Sequence, residues 1–238
     1  MQLKMKLTDL LSLADYLQEF TDEVEFKFKK EGLLIEEITP EGSAAVRVKI
    51  AKEKFLEYET DAETAVVDTK ALSQIAHTFD EEAITVRLEY PILYFSSETQ
   101  KASTELIDST RGRDFPETKN KPPITIKCNY VDFMKTLKNA SVFNNAAVFS
   151  YEGKKFKIRA DKMTGIAHFE KEVKCEAKGI DGEAKYQIDL LKKIINKCTS
   201  EDFNLEFGKN QACFVDLMIG IAEVRGGLAP RISNEDGD

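Results

Sequence analysis

The sequence repeats itself. Gly32 follows the alternating segment Glu25-Phe26-Lys27-Phe28 and precedes Leu33-Leu34-Ile35; 121 residues later, Gly153 follows Val148-Phe149-Ser150-Tyr151 and precedes Phe156-Lys157-Ile158. At the same offset Asp68 heads Thr69–Phe79 and Asp189 heads Leu190–Cys198. Ile84 and Val86 correspond to Leu205 and Phe207, and Leu10 and Leu13 to Val131 and Met134. An offset that runs from the first helix to a late strand without a gap implies two half-chains built on one plan.

Each half reads alike. An amphipathic helix comes first, Thr8–Phe20 or Asn129–Val142, with Leu10, Leu13, Ala14 and Leu17 at helical spacing and Thr8 or Asp9 as the cap. Alternating strands follow, joined by turns at Gly32, at Pro40–Gly42 and at Gly153. A second helix starts near Asp68 or Asp189, where either acid could cap free backbone N–H groups. Two strands close each unit, Ala83–Glu89 with Ile92–Ser96 and Phe203–Phe207 with Ala212–Met218. Short helices among many strands make an α+β unit rather than a βαβ alternation. Residues 107–123, with Gly112, Pro116, Pro122, Pro123 and many charges, read as an exposed connector between domains at 1–106 and 124–238.

Composition narrows the function. Charged residues make up 32% and the net charge is −8, which argues against a protein that coats nucleic acid over its whole surface. Cations segregated onto one face remain compatible with DNA contact. No apolar run approaches a membrane span, and Met1–Lys6 lacks a signal-peptide pattern, so the chain is expected inside the cell. Cys128, Cys175, Cys198 and Cys213 are widely spaced, without a CxxC, and His77 and His168 are the only histidines. That spacing predicts reduced thiols and no metal site. No phosphate loop, nucleophile elbow or zinc-protease motif is present, and no cofactor is expected.

Several segments carry a family resemblance. Gly227-Leu228-Ala229-Pro230-Arg231-Ile232, before an acidic tail, is close to the LAPR or LAPK ending of the DNA sliding clamps, the proliferating cell nuclear antigen (PCNA) family. Glu206-Phe207-Gly208-Lys209-Asn210 resembles that family's FGN turn, Ile38-Thr39-Pro40-Glu41-Gly42 its M-D-P/S-S turn, and Asp114-Phe115-Pro116-Glu117 the end of an archaeal connector. Asp22-Glu23-Val24-Glu25-Phe26-Lys27 matches the stretch after its first helix. The resemblance spans essentially the whole chain in order.

The resemblance implies a non-enzymatic, trimeric ring with sheets outside and helices lining the hole. It would encircle double-stranded DNA without reading sequence, and would sit in the archaeal cell interior or, in a eukaryote, the nucleus. DNA-facing cations would be Lys135, Lys138, Lys193 and Lys197, with Lys70 and His77 from the first half; on periodicity alone these are solvated helix faces. Subunits would join through edge strands near Lys101, Ser103 and Glu105 on one side and Gly165, Ala167 and Phe169 on the other. A pocket for the short PIP-type peptides of DNA polymerase, flap nuclease and ligase, and of the clamp loader, would use Ile38, Pro40, Gly42, Ala45, Phe115 and Pro116. Leu228, Ala229, Pro230 and Arg231 would complete it. The first half departs from the pattern, because its leading helix carries Asp9, Asp15 and Glu19 and no lysine. That departure keeps open a specialised subunit of a heterotrimeric or checkpoint-type clamp. A DNA-processing enzyme with a duplicated α+β core is the alternative from another class.

Overall fold

The computed structural model describes residues 1–108, 114–116, 121–162 and 166–231. In chain order the first elements are β1 (Gln2–Lys6), α1 (Leu7–Phe20), β2 (Glu23–Lys29), β3 (Gly32–Ile38), β4 (Ala44–Ala51), β5 (Glu57–Glu59), β6 (Glu63–Asp68), α2 (Thr69–Ala76), β7 (Ala83–Glu89), β8 (Ile92–Ser96) and β9 (Lys101–Glu105). The same order then recurs as β10 (Ile124–Asn129), α3 (Tyr130–Ser141), β11 (Ala146–Glu152), β12 (Lys155–Asp161), β13 (His168–Val173), β14 (Cys175–Lys178), β15 (Gly182–Gln187), α4 (Ile188–Ile195), β16 (Asp202–Phe207), β17 (Cys213–Ile219) and β18 (Ala222–Leu228). The chain divides into two compact units, residues 1–40, 46–115 and 218–224 in one, and 41–45, 116–217 and 225–238 in the other.

The sheet topology is duplicated as well. In unit 1 the antiparallel orders are β5-β1-β7-β8-β9 and β4-β3-β2-β6; in unit 2 they are β14-β10-β16-β17-β18 and β13-β12-β11-β15. The repeat is real, but its offset is not constant. The buried positions of α1, Leu10, Leu13, Ala14 and Leu17, match Phe133, Thr136, Leu137 and Ala140 of α3 at an offset of 123. Between α2 and α4 the offset is 119. Unit 1 therefore holds four more residues from the start of one helix to the start of the next, and the extra 3-10 turn at Lys52–Lys54 lies in that interval. A single offset of 121 is their average. It places Val131 against Leu10, whereas Val131 is 67% exposed and Phe133 takes the core position.

Helix starts show a second correction. Asp68 does cap α2, its carboxylate accepting from Ala71 N–H at 2.7 Å, and Asn129 caps α3 by accepting from Asp132 N–H at 3.1 Å. Asp189 does not cap α4; it lies inside the first turn, after Gln187 at the cap position. There it still favours the helix by facing the positive end of the dipole. Thr8 and Asp9 likewise lie inside α1, whose cap position is Lys6, because β1 runs straight into the helix while Leu7 N–H bonds the Glu82 carbonyl at 2.9 Å. Helix α4 ends at Ile195, so Lys197 and Cys198 follow the helix rather than belong to it.

Each unit buries its helices against its sheets. In unit 2, the Phe149 ring meets Phe133 from α3, Phe156, Tyr186 and Phe207 at centroid distances of 5.4–6.2 Å. Edge-to-face contacts of this kind add to the area burial and hold α3 in register. In unit 1, Tyr16 and Leu17 of α1 are fully buried with Leu72 of α2, and the two helices pack together. Gly226 of β18 lies where a β-carbon would meet Cγ2 of Ile194 at 2.1 Å, so only glycine lets α4 approach this closely.

Candidate nucleic-acid, subunit and peptide surfaces

The cation-bearing surface is a consequence of helix periodicity. Phe133, Thr136, Leu137 and Ala140 face the core of unit 2, which turns Lys135 and Lys138 to solvent. Leu191, Ile194 and Ile195 do the same for α4 and leave Lys193 exposed, while Lys197 is exposed just beyond the helix with φ +61°. Lys192 is half-buried and pairs with Asp189 at 2.9 Å. In unit 1, Lys70 is exposed, but His77 lies 3.0 Å from Asp15, whose carboxylate also accepts from the Ser73 hydroxyl at 3.0 Å. His77 is therefore tied to an acid of α1. Asp9 is half-buried; burial raises its carboxyl above the usual range, against the opposing pull of Lys6 and the Ile221 backbone. The two helix pairs thus carry opposite charge.

Among the described residues, β9 in unit 1 and β13 in unit 2 each end a sheet, as do β5 and β6 in unit 1 and β14 and β15 in unit 2. Lys101, Ser103 and Glu105 of β9 are exposed. Beside β13, Ala167 is exposed, Phe169 is half-buried against Phe143 at 5.9 Å, and Gly165 lies outside the described residues. Ile166 is 101% exposed and Val142 is 81% exposed. Unpaired backbone next to bare aliphatic side chains is what an edge awaiting another strand presents.

The peptide-pocket residues distribute between buried and accessible. In unit 1, Ile38 is half-buried, Pro40 is exposed and Phe115 is buried. In unit 2, Ala45 and Leu228 are buried, Gly42, Pro116, Ala229 and Arg231 are exposed, and Pro230 is half-buried. Gly42 adopts φ +73°, a left-handed conformation that glycine takes without strain. Ala229 N–H bonds the Ser43 carbonyl at 2.8 Å, Arg231 N–H bonds the Lys185 carbonyl at 2.7 Å, and the Arg231 guanidinium reaches Asn145 Oδ1 at 3.1 Å.

Sequence reading missed the charged cluster that holds the connector in unit 1. Glu36 is buried, yet it accepts from Arg47 at 2.8 Å, from Lys27 at 3.2 Å and from Phe115 N–H at 3.4 Å. Lys27 also reaches Asp114 at 3.4 Å. Burial alone would raise the Glu36 carboxyl; the Arg47 and Lys27 partners outweigh it and hold it below the usual carboxylate range. The fold, not the sequence, carries the signal. Ile35, Glu36 and Glu37 are consecutively buried, which breaks strand alternation, and a charge at such a position demands a partner.

No protein-family model matches the sequence. The DNA polymerase sliding clamp of Methanococcus maripaludis is 23% identical over 243 residues, covering 95% of this chain and 96% of the relative. Among solved structures, the A. fulgidus PCNA with the C-terminal region of FEN-1 bound superposes with a TM-score of 0.87 at 20% identity, covering 98% of this chain and 99% of that one. The PCNA2-PCNA3 complex from Sulfolobus tokodaii gives 0.81 at 19% identity over 97% and 99%. A duplicated α+β unit that agrees with these proteins over its whole length is a sliding-clamp fold. Within that class, the chain is similar along its length to clamps of the PCNA type.

Proposed function

We propose that this chain is a DNA sliding clamp whose subunits close into a ring around duplex DNA and keep replication and repair enzymes beside it. The observation that carries the reading is the duplicated fold in which β9 of unit 1 and β13 of unit 2 each end a sheet. By topology β9 is the counterpart of β18 and β13 that of β4. Within unit 2 the ends of β18 and β4 already meet, where Ala229 bonds Ser43. The same pairing between β9 of one subunit and β13 of the next would extend the pattern around a trimer.

Lys135, Lys138, Lys193 and Lys197, with Lys70, would attract phosphates without contacting base edges, as sliding requires. No catalytic role is assigned, and nucleotide chemistry for loading would belong to a separate loader. The peptide surface would comprise Ile38, Pro40, Gly42, Ala45, Phe115 and Pro116 with Leu228 to Arg231. The N–H groups of Ala229 and Arg231 are already engaged and Pro230 has none, so a partner peptide would have to donate to carbonyls of this stretch. A polymerase, flap nuclease or ligase held this way gains effective concentration at its template.

A second reading, one specialised subunit of a heterotrimer, is favoured by the acidic helix α1 of unit 1. In a homotrimer acidic and basic segments would alternate around the hole. Retention on circular DNA tests the main reading: the loaded protein should stay on a closed circle and be lost when the circle is cut. Equal retention on circular and linear duplex removes it. Light scattering separates the two assemblies, because a lone chain that stays monomeric and assembles only with other subunits supports the heterotrimer.

A further inference from the structure

Cys128 and Cys175, far apart in sequence, face each other across two antiparallel strands. Strands β10 and β14 pair in the register Thr125↔Lys178, Ile126↔Ala177, Lys127↔Glu176 and Cys128↔Cys175. Directly opposed residues put their side chains on the same face, here the side on which Ile126 is buried. Their α-carbons lie about 4.5 or 5.5 Å apart depending on the hydrogen-bonding position. Both values fall inside the span of roughly 4.4–6.8 Å that a disulfide bridges. Both thiols are free; Cys128 is buried and Cys175, at the start of the edge strand β14, is half-buried.

The other two cysteines do not compete. Cys213 is on β17, which is separated from β10 by β16, a distance of about 9.5 Å between strands. Cys198 lies beyond α4, its sulfur 3.2 Å from the Ser200 hydroxyl.

We propose that Cys128 and Cys175 form a redox-active pair that a hydroperoxide converts into a cross-strand disulfide. Cys175 is the thiol an oxidant can reach. Its thiolate attacks the hydroperoxide, an S–O bond forms as the O–O bond breaks, and the departing alkoxide takes a proton to become an alcohol. The sulfur of Cys128 then attacks the sulfenic sulfur of Cys175. The S–S bond forms as the S–O bond breaks, and hydroxide leaves with the Cys128 proton as water. Two thiols lose two electrons and two protons, and the hydroperoxide is reduced to alcohol and water. Burial raises both thiols above their ordinary range, so the thiolate is scarce at neutral pH and the reaction speeds up as pH rises. The product ties the edge strand β14 to the interior strand β10. Because only Lys174 separates β14 from β13, it also anchors the chain where it returns from the unpaired edge.

The full-length protein treated with tert-butyl hydroperoxide at mildly alkaline pH, then alkylated and digested, tests this directly. The expected result is a linked peptide joining Cys128 to Cys175 within one chain, reversed by dithiothreitol and accompanied by a higher urea midpoint. The link should persist in Cys213→Ser and Cys198→Ser and disappear in Cys175→Ser. A bridge using other cysteines, a bridge between chains, or Cys175 carried to sulfinic acid while Cys128 stays free would overturn the assignment. The peptide map of the unaltered chain decides the matter even if a variant folds poorly.

Discussion

The guanidinium of Arg47 lies 4.8 Å from the centre of the Phe115 ring while donating to Glu36 at 2.8 Å. One side chain thus couples a strand of the sheet to the connector, through a cation over an aromatic face and through a buried ion pair. The returning connector also covers Lys27, which bridges Glu36 and Asp114. The connector of unit 1 is held by charge as well as by apolar contact.

Replacing Glu36 with Gln keeps the shape and removes the carboxylate shared by Arg47 and Lys27, while Lys27 keeps Asp114 and Glu25. Losing the charge-assisted bonds to these half-buried cations should cost about 2 kcal/mol of stability, read by urea unfolding at neutral pH. Since the folded carboxyl titrates below its unfolded value of about 4.3, its contribution is fully present above that pH and is lost as pH falls through the lower folded value. The difference between Glu36→Gln and the unaltered chain should therefore shrink in strong acid. A difference that does not change with pH would separate Glu36 from the ion-pair role.

Charge reversal on the unit 2 helices should weaken binding to duplex DNA regardless of sequence. For Lys135→Glu with Lys138→Glu, each lost phosphate contact lowers the slope of log affinity against log salt by about 0.9. Glu19→Lys on α1 should act in the opposite sense, strengthening binding at low salt. Salt titrations monitored by fluorescence anisotropy check both, and an unchanged slope in the lysine variant would remove these residues from the DNA surface.

Ile166 is fully exposed, so Ile166→Asp should leave the fold and thermal midpoint unchanged. Beside a β13 edge that accepts the next subunit, however, the new charge would be desolvated on assembly. Combined with Val142→Asp it should shift the population toward the 26.9 kDa protomer in light scattering. Assembly at wild-type strength would place the subunit contact elsewhere.

Among the described residues, truncation after Leu228 removes two backbone bonds, Ala229 to Ser43 and Arg231 to Lys185, and no buried side chain beyond Leu228. Synthetic peptides with the sequences of flap-nuclease C-termini should lose affinity at least tenfold by calorimetry, while circular dichroism stays unchanged. Retained binding would show that the pocket does not need this segment.

Much of this architecture was legible in local pattern. The α1 face, Leu10, Leu13, Ala14 and Leu17, and the strands Ala83–Glu89 and Ile92–Ser96 appear where periodicity puts them. The aligned offset misled at Val131, because the two units differ by a four-residue insertion that low identity hides. Asp189 misled because a carboxylate near a helix start serves equally well at the cap or in the first turn, and only backbone geometry separates the two.

The sequence by itself determined the duplicated α+β plan, the apolar helix faces and the placing of lysines on the second half's leading helix but not the first's, since each follows from spacing along one chain. Tertiary structure alone decided that Glu36 meets Arg47 and Phe115, that Cys128 opposes Cys175, and that β9 and β13 are left as edges. Those relationships join residues from different strands and segments, 11 positions apart for Glu36 and Arg47 and 79 for Glu36 and Phe115. Strand order and register bring them together, and neither is written in local periodicity.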